Sequence, residues 1–195
     1  MYSKEELEKF LTLAEKKLSH DWFVFFRLLA YTGMRRGEAL ALTWDDINEE
    51  DSTVYIHRTA TRGSSGLYIS DTPKTNKSNR TIYIDKTTLE LVLSLRREED
   101  TGKSFIFQNS NGSFFTPSLL VKKIHTVVSG TDLKYITPHG FRHTHCSLLF
   151  SAGVSIPEVQ DRLGHSDVKT TIDIYNHVYK KDRKTALDKL MKYMA

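Results

Sequence analysis

The segment Asp21–Thr32, DWFVFFRLLAYT, constrains the fold more than any other stretch of this chain. Read as a helix it is apolar on most sides, so any fold of the chain has to bury it. Asp21 is placed to cap this helix and Gly33 to end it. Before it, Ser3-Lys4-Glu5-Glu6 predicts a capping box that opens an amphipathic helix through about Lys17. After it, RRGEALALTW predicts a third, short helix that stops near Asp45-Asp46. The apolar period then changes to two. TVYIHR, GLYIS and RTIYI read as three short strands, with DTPKTNKSN as a polar hairpin tip joining the last two. Further helices are expected near Thr87–Glu99, over Pro117–Val128, over His139–Ala152, over Pro157–Leu163 behind a Ser155/Glu158 capping box, around Tyr175, and over Asp182–Met194. No repeat or long linker divides the 195 residues, which suffice for one domain with its own core.

Composition excludes several classes. Charged residues make up 27% and hydrophobic ones 39%, and no apolar run approaches the ~20 residues that span a bilayer. The first residues, MYSKEELEKF, are charged where a signal peptide would be apolar. Cys146 is the only cysteine and has no internal disulfide partner, which fits a reducing compartment. A cytoplasmic location without membrane contact is therefore expected. The formal charge of +4 and a pI near 9.0 suit a polyanionic partner.

Chemistry concentrates in Thr137–Val178, TPHGFRHTHCSLLFSAGVSIPEVQDRLGHSDVKTTIDIYNHV. His139 and Arg142 are three apart, so they share a helix face and can hold one anion. Thr137 can cap that helix and Pro138 can open it, and a helix N-terminus favours phosphate. Leu163-Gly164-His165 and Tyr175 follow, adding a second histidine and a possible tyrosine nucleophile. No carboxylate cluster is present to hold a metal. His139 and His143 are i,i+4, but no HExxH glutamate lies between them. Upstream, TGMRRGEALAL holds Arg35, which can also be read as a helix-start arginine pairing with Glu38, and Arg36, read as surface or DNA-facing. TPKTNKSNRTI holds Lys74, with Lys77 as its rival. His57, His125 and His177 read as structural.

Taken in order, these four motifs resemble the tyrosine recombinases, also called the phage integrase family, and above all the catalytic domains of phage and conjugative-element integrases. The resemblance runs from about Asp21 to Val178. It implies a mainly α fold with a small three-stranded antiparallel β-sheet (α+β). It also implies that residues 1–195 form a single catalytic domain of a longer integrase whose N-terminal core-binding domain is absent. By position, Arg35 matches the first catalytic arginine, Lys74 the hairpin lysine, His139 and Arg142 the HxxR pair, His165 the His-or-Trp position and Tyr175 the nucleophile. Tyr179 is the fallback, because the interval from His165 to Tyr175 is one residue longer than in the best-known members. The implied chemistry is strand cleavage through a 3′-phosphotyrosyl intermediate and religation, with no metal and no cofactor. The implied partner is double-stranded DNA carrying attachment sites, bound as a homo-tetramer by a chain that is monomeric when free. The apolar stripe Ala186, Leu187, Leu190, Met191, Met194 predicts a C-terminal helix, 182–195, that folds back on its own core; the resemblance implies instead that it is exchanged between subunits on DNA. Two alternatives stay open: a catalytically silent DNA-binding module of the same fold, and a type IB topoisomerase-like relaxing activity.

Overall fold

The computed structural model describes residues 1–63, 66–70, 79–164, 168–179, 191 and 194. Lys74, His165 and all of the expected C-terminal helix except Met191 and Met194 lie outside the described residues; those two methionines of the expected apolar stripe are helical and exposed. Helices α1 (Lys4–Lys17), α2 (His20–Thr32) and α3 (Arg36–Leu40) come first. Strands β1 (Ile47–Asn48), β2 (Thr53–Ile56), β3 (Thr59–Gly63), β4 (Gly66–Ser70) and β5 (Arg80–Tyr83) follow. The rest is helical: α4 (Lys86–Leu93), α5 (Pro117–Val128), α6 (Pro138–Ser151), α7 (Ile156–Leu163) and α8 (Val168–Tyr179).

As its composition requires, α2 is buried nearly all round. Trp22 stacks on Phe115 at 4.1 Å, Phe25 meets Phe107 edge-on at 4.9 Å, and Phe26 sits between Phe10 at 5.4 Å and Phe141 at 5.6 Å. Those contacts draw α1, α6 and the chain around 105–115 onto one helix. A second, smaller cluster joins Cys146 and Phe150 of α6 to Val159 and Leu163 of α7 and Ile174 of α8. The Ser3–Glu6 capping box forms, as does the Ser155–Glu158 box that opens α7. Helix α5 has the expected bounds, with Pro117 in its first turn.

Several boundaries move, each for a local reason. Ser19, not Asp21, is the N-cap of α2; its hydroxyl bonds the Asp21 carboxylate inside the first turn. Helix α3 ends at Leu40 because the next residues bond elsewhere. Leu42 O accepts from Ile106 N at 3.0 Å and Trp44 N donates to Ser104 O at 3.3 Å. Helix α4 starts behind Asp85, which caps Thr88 N at 3.0 Å, and stops at Leu93 rather than Glu99. Beyond it, Asp100 accepts from Arg97 N at 3.0 Å and closes a turn.

The three-stranded antiparallel sheet is present with an altered membership. Its order is β1-β2-β5, with Val54 opposite Ile82, and Val54, Ile56 and Ile82 facing the core. GLYIS belongs to a separate two-stranded sheet, where β4 pairs with the unexpected β3. The expected strand TVYIHR breaks at His57-Arg58 because both side chains turn to the buried Asp46 carboxylate. His57 Nε2 lies 2.9 Å from Asp46 Oδ1 and Arg58 donates to Asp46 Oδ2 at 2.7 Å. GLYIS and RTIYI are therefore not the two arms of one hairpin among the described residues, and most of the expected tip, 71–78, lies outside them.

Candidate active site

Two helices end in glycine where α6 begins its course. Gly33 closes α2 with φ 66° and Gly164 closes α7 with φ 63°, a left-handed conformation that suits glycine. A Cβ on Gly33 would come within 2.6 Å of both His145 and Leu163. Helix C-termini leave carbonyls without helical partners and carry partial negative charge. Arginines collect on them. Arg142, 1% exposed, donates from Nη1 to Gly33 O at 2.8 Å and from Nη2 to Leu163 O at 2.7 Å. Arg35 donates from Nη2 to Gly164 O at 3.1 Å.

Glu38 holds the cluster from below. Its carboxylate, 5% exposed, accepts from Arg35 N and Nη1 at 2.8 Å each and from Arg80 Nη2 at 2.8 Å. Burial alone would raise its pKa, but the hydrogen bonds and charge of Arg80, then those of Arg35, outweigh burial and hold it below the ordinary carboxylate range. Burial and the adjacent Arg35 guanidinium press the pKa of Arg142 down to about 9, which still leaves it charged at neutral pH. Two guanidiniums, those of Arg35 and Arg80, thus bind one carboxylate, and that of Arg142 lies near enough to feel its charge. Among the described residues guanidiniums outnumber carboxylates there, and such a setting attracts an anion.

Helix α6 starts as expected, with the Thr137 hydroxyl accepting from Gly140 N at 3.3 Å and Pro138 at its first position. His139 lies exposed on that first turn. Partial desolvation, then His143, whose ring lies 4.4 Å away, then Arg142 and Arg35 push the His139 pKa down to about 4. At neutral pH the ring is uncharged and has a nitrogen able to accept a proton. Tyr175, on α8, packs its half-buried ring edge-on against Phe150 at 5.2 Å. Phe150 lies eight residues beyond Arg142 on α6, about 12 Å along the axis at ~1.5 Å per residue. The structure therefore gathers Arg35, His139 and Arg142 at one end of α6 and seats Tyr175 against its other half.

Residues 1–182 match the phage integrase family. The chain belongs to that family. It is 36% identical to the ICEBs1 integrase of Bacillus subtilis (strain 168), covering 95% of this chain and 52% of that protein. It is 33% identical to the integrase of Staphylococcus phage L54a, covering 84% and 49%. Among solved structures, the Tn1549 transposon integrase in complex with circular intermediate DNA is 26% identical, with a TM-score of 0.79 over 97% of this chain and 66% of that one. This phage integrase family chain spans about half the length of the curated relatives it matches. Its fold is that of the catalytic domain of bacteriophage HP1 integrase, with a TM-score of 0.62 over 96% of this chain and 93% of that one.

Sequence reading of this integrase-family chain missed Arg80 and gave Glu38 only the part of a partner to Arg35. One signal was available. In RTIYI the alternation puts Arg80 in phase with Ile82, on the face that turns to the core, where an arginine needs a buried acceptor. The surface reading of Arg36 holds, since its side chain is exposed.

Proposed function

We propose that this chain cleaves and rejoins DNA strands through a 3′-phosphotyrosyl intermediate at Tyr175, as the strand-transfer part of a site-specific recombinase. The gathering of Arg35, Arg142 and neutral His139 around one surplus of positive charge carries the reading. A phosphodiester attacked by a phenolate gains negative charge on its non-bridging oxygens. Two guanidinium forks match that charge with bidentate geometry and need no metal ion. A tyrosine phenol ordinarily holds its proton to a pKa near ~10, so attack requires a proton acceptor. His139 fills that role. Lys74 protonates the leaving 5′-oxygen and His165 donates a hydrogen bond to the phosphate. The ester keeps the bond energy, so a new 5′-hydroxyl can displace the tyrosine without ATP.

The proposed partner is double-stranded DNA carrying attachment sites, bound by a tetramer of subunits, with segment 182–195, whose Met191 and Met194 are exposed in the single chain, packing on a neighbour in the assembly. Adduct formation on a nicked suicide duplex tests the reading. The wild-type chain is expected to form a covalent protein–DNA adduct equally in magnesium and in excess EDTA. Tyr175→Phe is expected to bind the duplex and form none. Binding without any adduct from the wild type would point to a catalytically silent module. Loss of the adduct on chelation, restored by one divalent ion, would overturn the metal-free mechanism.

A further inference from the structure

The last two carbonyls of α7 and that of its C-cap each receive a guanidinium from a different part of the chain. Arg162 O accepts from Arg80 Nε at 2.9 Å, Leu163 O from Arg142 Nη2 at 2.7 Å, and Gly164 O from Arg35 Nη2 at 3.1 Å. Arg80 stands apart from the other two. It starts β5 in the three-stranded sheet, is 9% exposed, and covers Gly164 so closely that a Cβ there would lie 3.0 Å from Arg80 Cδ and Nη1. While Nε binds α7, Nη1 and Nη2 bind the two oxygens of Glu38 at 3.2 and 2.8 Å. The same carboxylate orients Arg35. One planar side chain thus joins the sheet, the carboxylate that aims Arg35 and the helix end that receives Arg142.

We propose that Arg80 is a positioning residue of the strand-transfer site: it locks the C-terminal turn of α7 and Glu38 into a common seat for Arg35 and Arg142. The proposal rests on the functional reading given above. Three donors in fixed directions make the seat, so lysine, a point charge with one nitrogen, keeps the charge and loses the geometry. Misplacing reacting groups by about 1 Å can slow a reaction by about 10²-fold. Arg80→Met is therefore expected to slow single-turnover adduct formation by about 10²-fold, and Arg80→Lys by an intermediate factor. Affinity for the duplex should change far less.

The discriminating substrate carries a methylphosphonate at the scissile position. Its neutral phosphorus centre lacks one of the charged oxygens that Arg35 and Arg142 would neutralise. If Arg80 acts through those arginines, the ratio of wild-type to Arg80→Lys rates should shrink at least several-fold on this substrate. A ratio equal on both substrates, or an Arg80→Lys rate equal to wild type on ordinary DNA, would overturn the proposal. Amide hydrogen exchange of Gly164, whose N–H donates to Gln160 O at 2.8 Å, reads the seat without any reaction. Exchange at Gly164 should quicken by at least tenfold in both variants while the amides of α2 stay protected. Unchanged exchange would also overturn the proposal. A wild-type chain that binds DNA but forms no adduct would instead defeat the functional reading, with the exchange result still deciding whether Arg80 holds the seat.

Discussion

The two halves of α6 hold their neighbours by different physics. The N-terminal half carries Arg142, fixed by directional hydrogen bonds to the ends of α2 and α7. The C-terminal half carries Cys146 and Phe150, packed with Val159, Leu163 and Ile174 in a five-residue apolar cluster on which Tyr175 rests. Hydrogen bonds to backbone carbonyls fix angle as well as distance. Apolar contact is non-directional and tolerates a slide. Cations that stabilise developing charge work best when their dipoles are already oriented. The arginine half of the proposed site is thus held by directional bonds, and the half that seats Tyr175 packs on an apolar cluster.

Substitutions can break this comparison, beginning with the largest effect. Tyr175→Phe should abolish adduct formation in a gel assay while leaving duplex affinity near wild type. If Tyr179→Phe does so instead, the nucleophile lies one helical turn further on. Arg35→Lys and Arg142→Lys should each lower single-turnover cleavage by ~10²-fold or more, the scale of losing one oxyanion donor. Their folding should differ. Arg142→Lys leaves two buried carbonyls short of a donor and should lose on the order of 1–3 kcal/mol in urea unfolding. Arg35, with 38% of its side chain exposed, should lose less. Equal losses of binding and cleavage would reduce both arginines to docking residues.

Phe150→Leu probes the softer half. It removes the edge-on contact to Tyr175, whose type contributes ~0.5–1.5 kcal/mol, and should change the cleavage rate by no more than about tenfold. A loss matching that of Arg142→Lys would show that the tyrosine is held as rigidly as the cations.

Acidity acts on folding rather than on cleavage and is the most general effect. His145 Nδ1 lies 2.9 Å from Ala30 O and Nε2 accepts from Arg162 Nε at 3.2 Å, so the ring is neutral with its hydrogen on Nδ1. Burial, then the Arg162 charge, push its pKa to about 4, against 6.5 for an ordinary histidine. The unfolded chain therefore binds a proton more readily than the folded one between those values. This histidine's contribution to stability is complete above about pH 6.5 and is lost as pH falls towards 4. The slope reaches ~1.4 kcal/mol per pH unit. Urea unfolding at pH 7, 6 and 5 should show it together with the like contribution of His139, and His145→Gln should make the slope shallower by up to ~1.4 kcal/mol per pH unit without abolishing it.

Much of the fold is legible because local chemistry and tertiary packing agree. The Ser3 and Ser155 boxes, Pro117 and the apolar face of α2 each specify an element that the core then uses. Legibility fails where one distant side chain overrides a local pattern. Asp46 pulls His57 and Arg58 out of the strand that TVYIHR suggests, and the segment around Ser104–Ile106 takes the backbone bonds that would have extended α3. At the site, the gathering of Arg35, His139 and Arg142 was readable because an anion-holding cluster needs particular residue types at particular spacings. The pairing of Glu38 with Arg80 was not, since it joins residues 42 apart in sequence, on a helix and a strand.

Which atom carries the DNA is the most direct test of the account. After reaction with a nicked duplex in excess EDTA, the adduct is digested with nuclease and protease and the nucleotide-bearing peptide is sequenced by mass spectrometry. The account predicts a nucleotide joined through its 3′-phosphate to the oxygen of Tyr175. Attachment to Tyr179 or to a serine, or a wild-type chain that binds the duplex and never becomes attached, would contradict it.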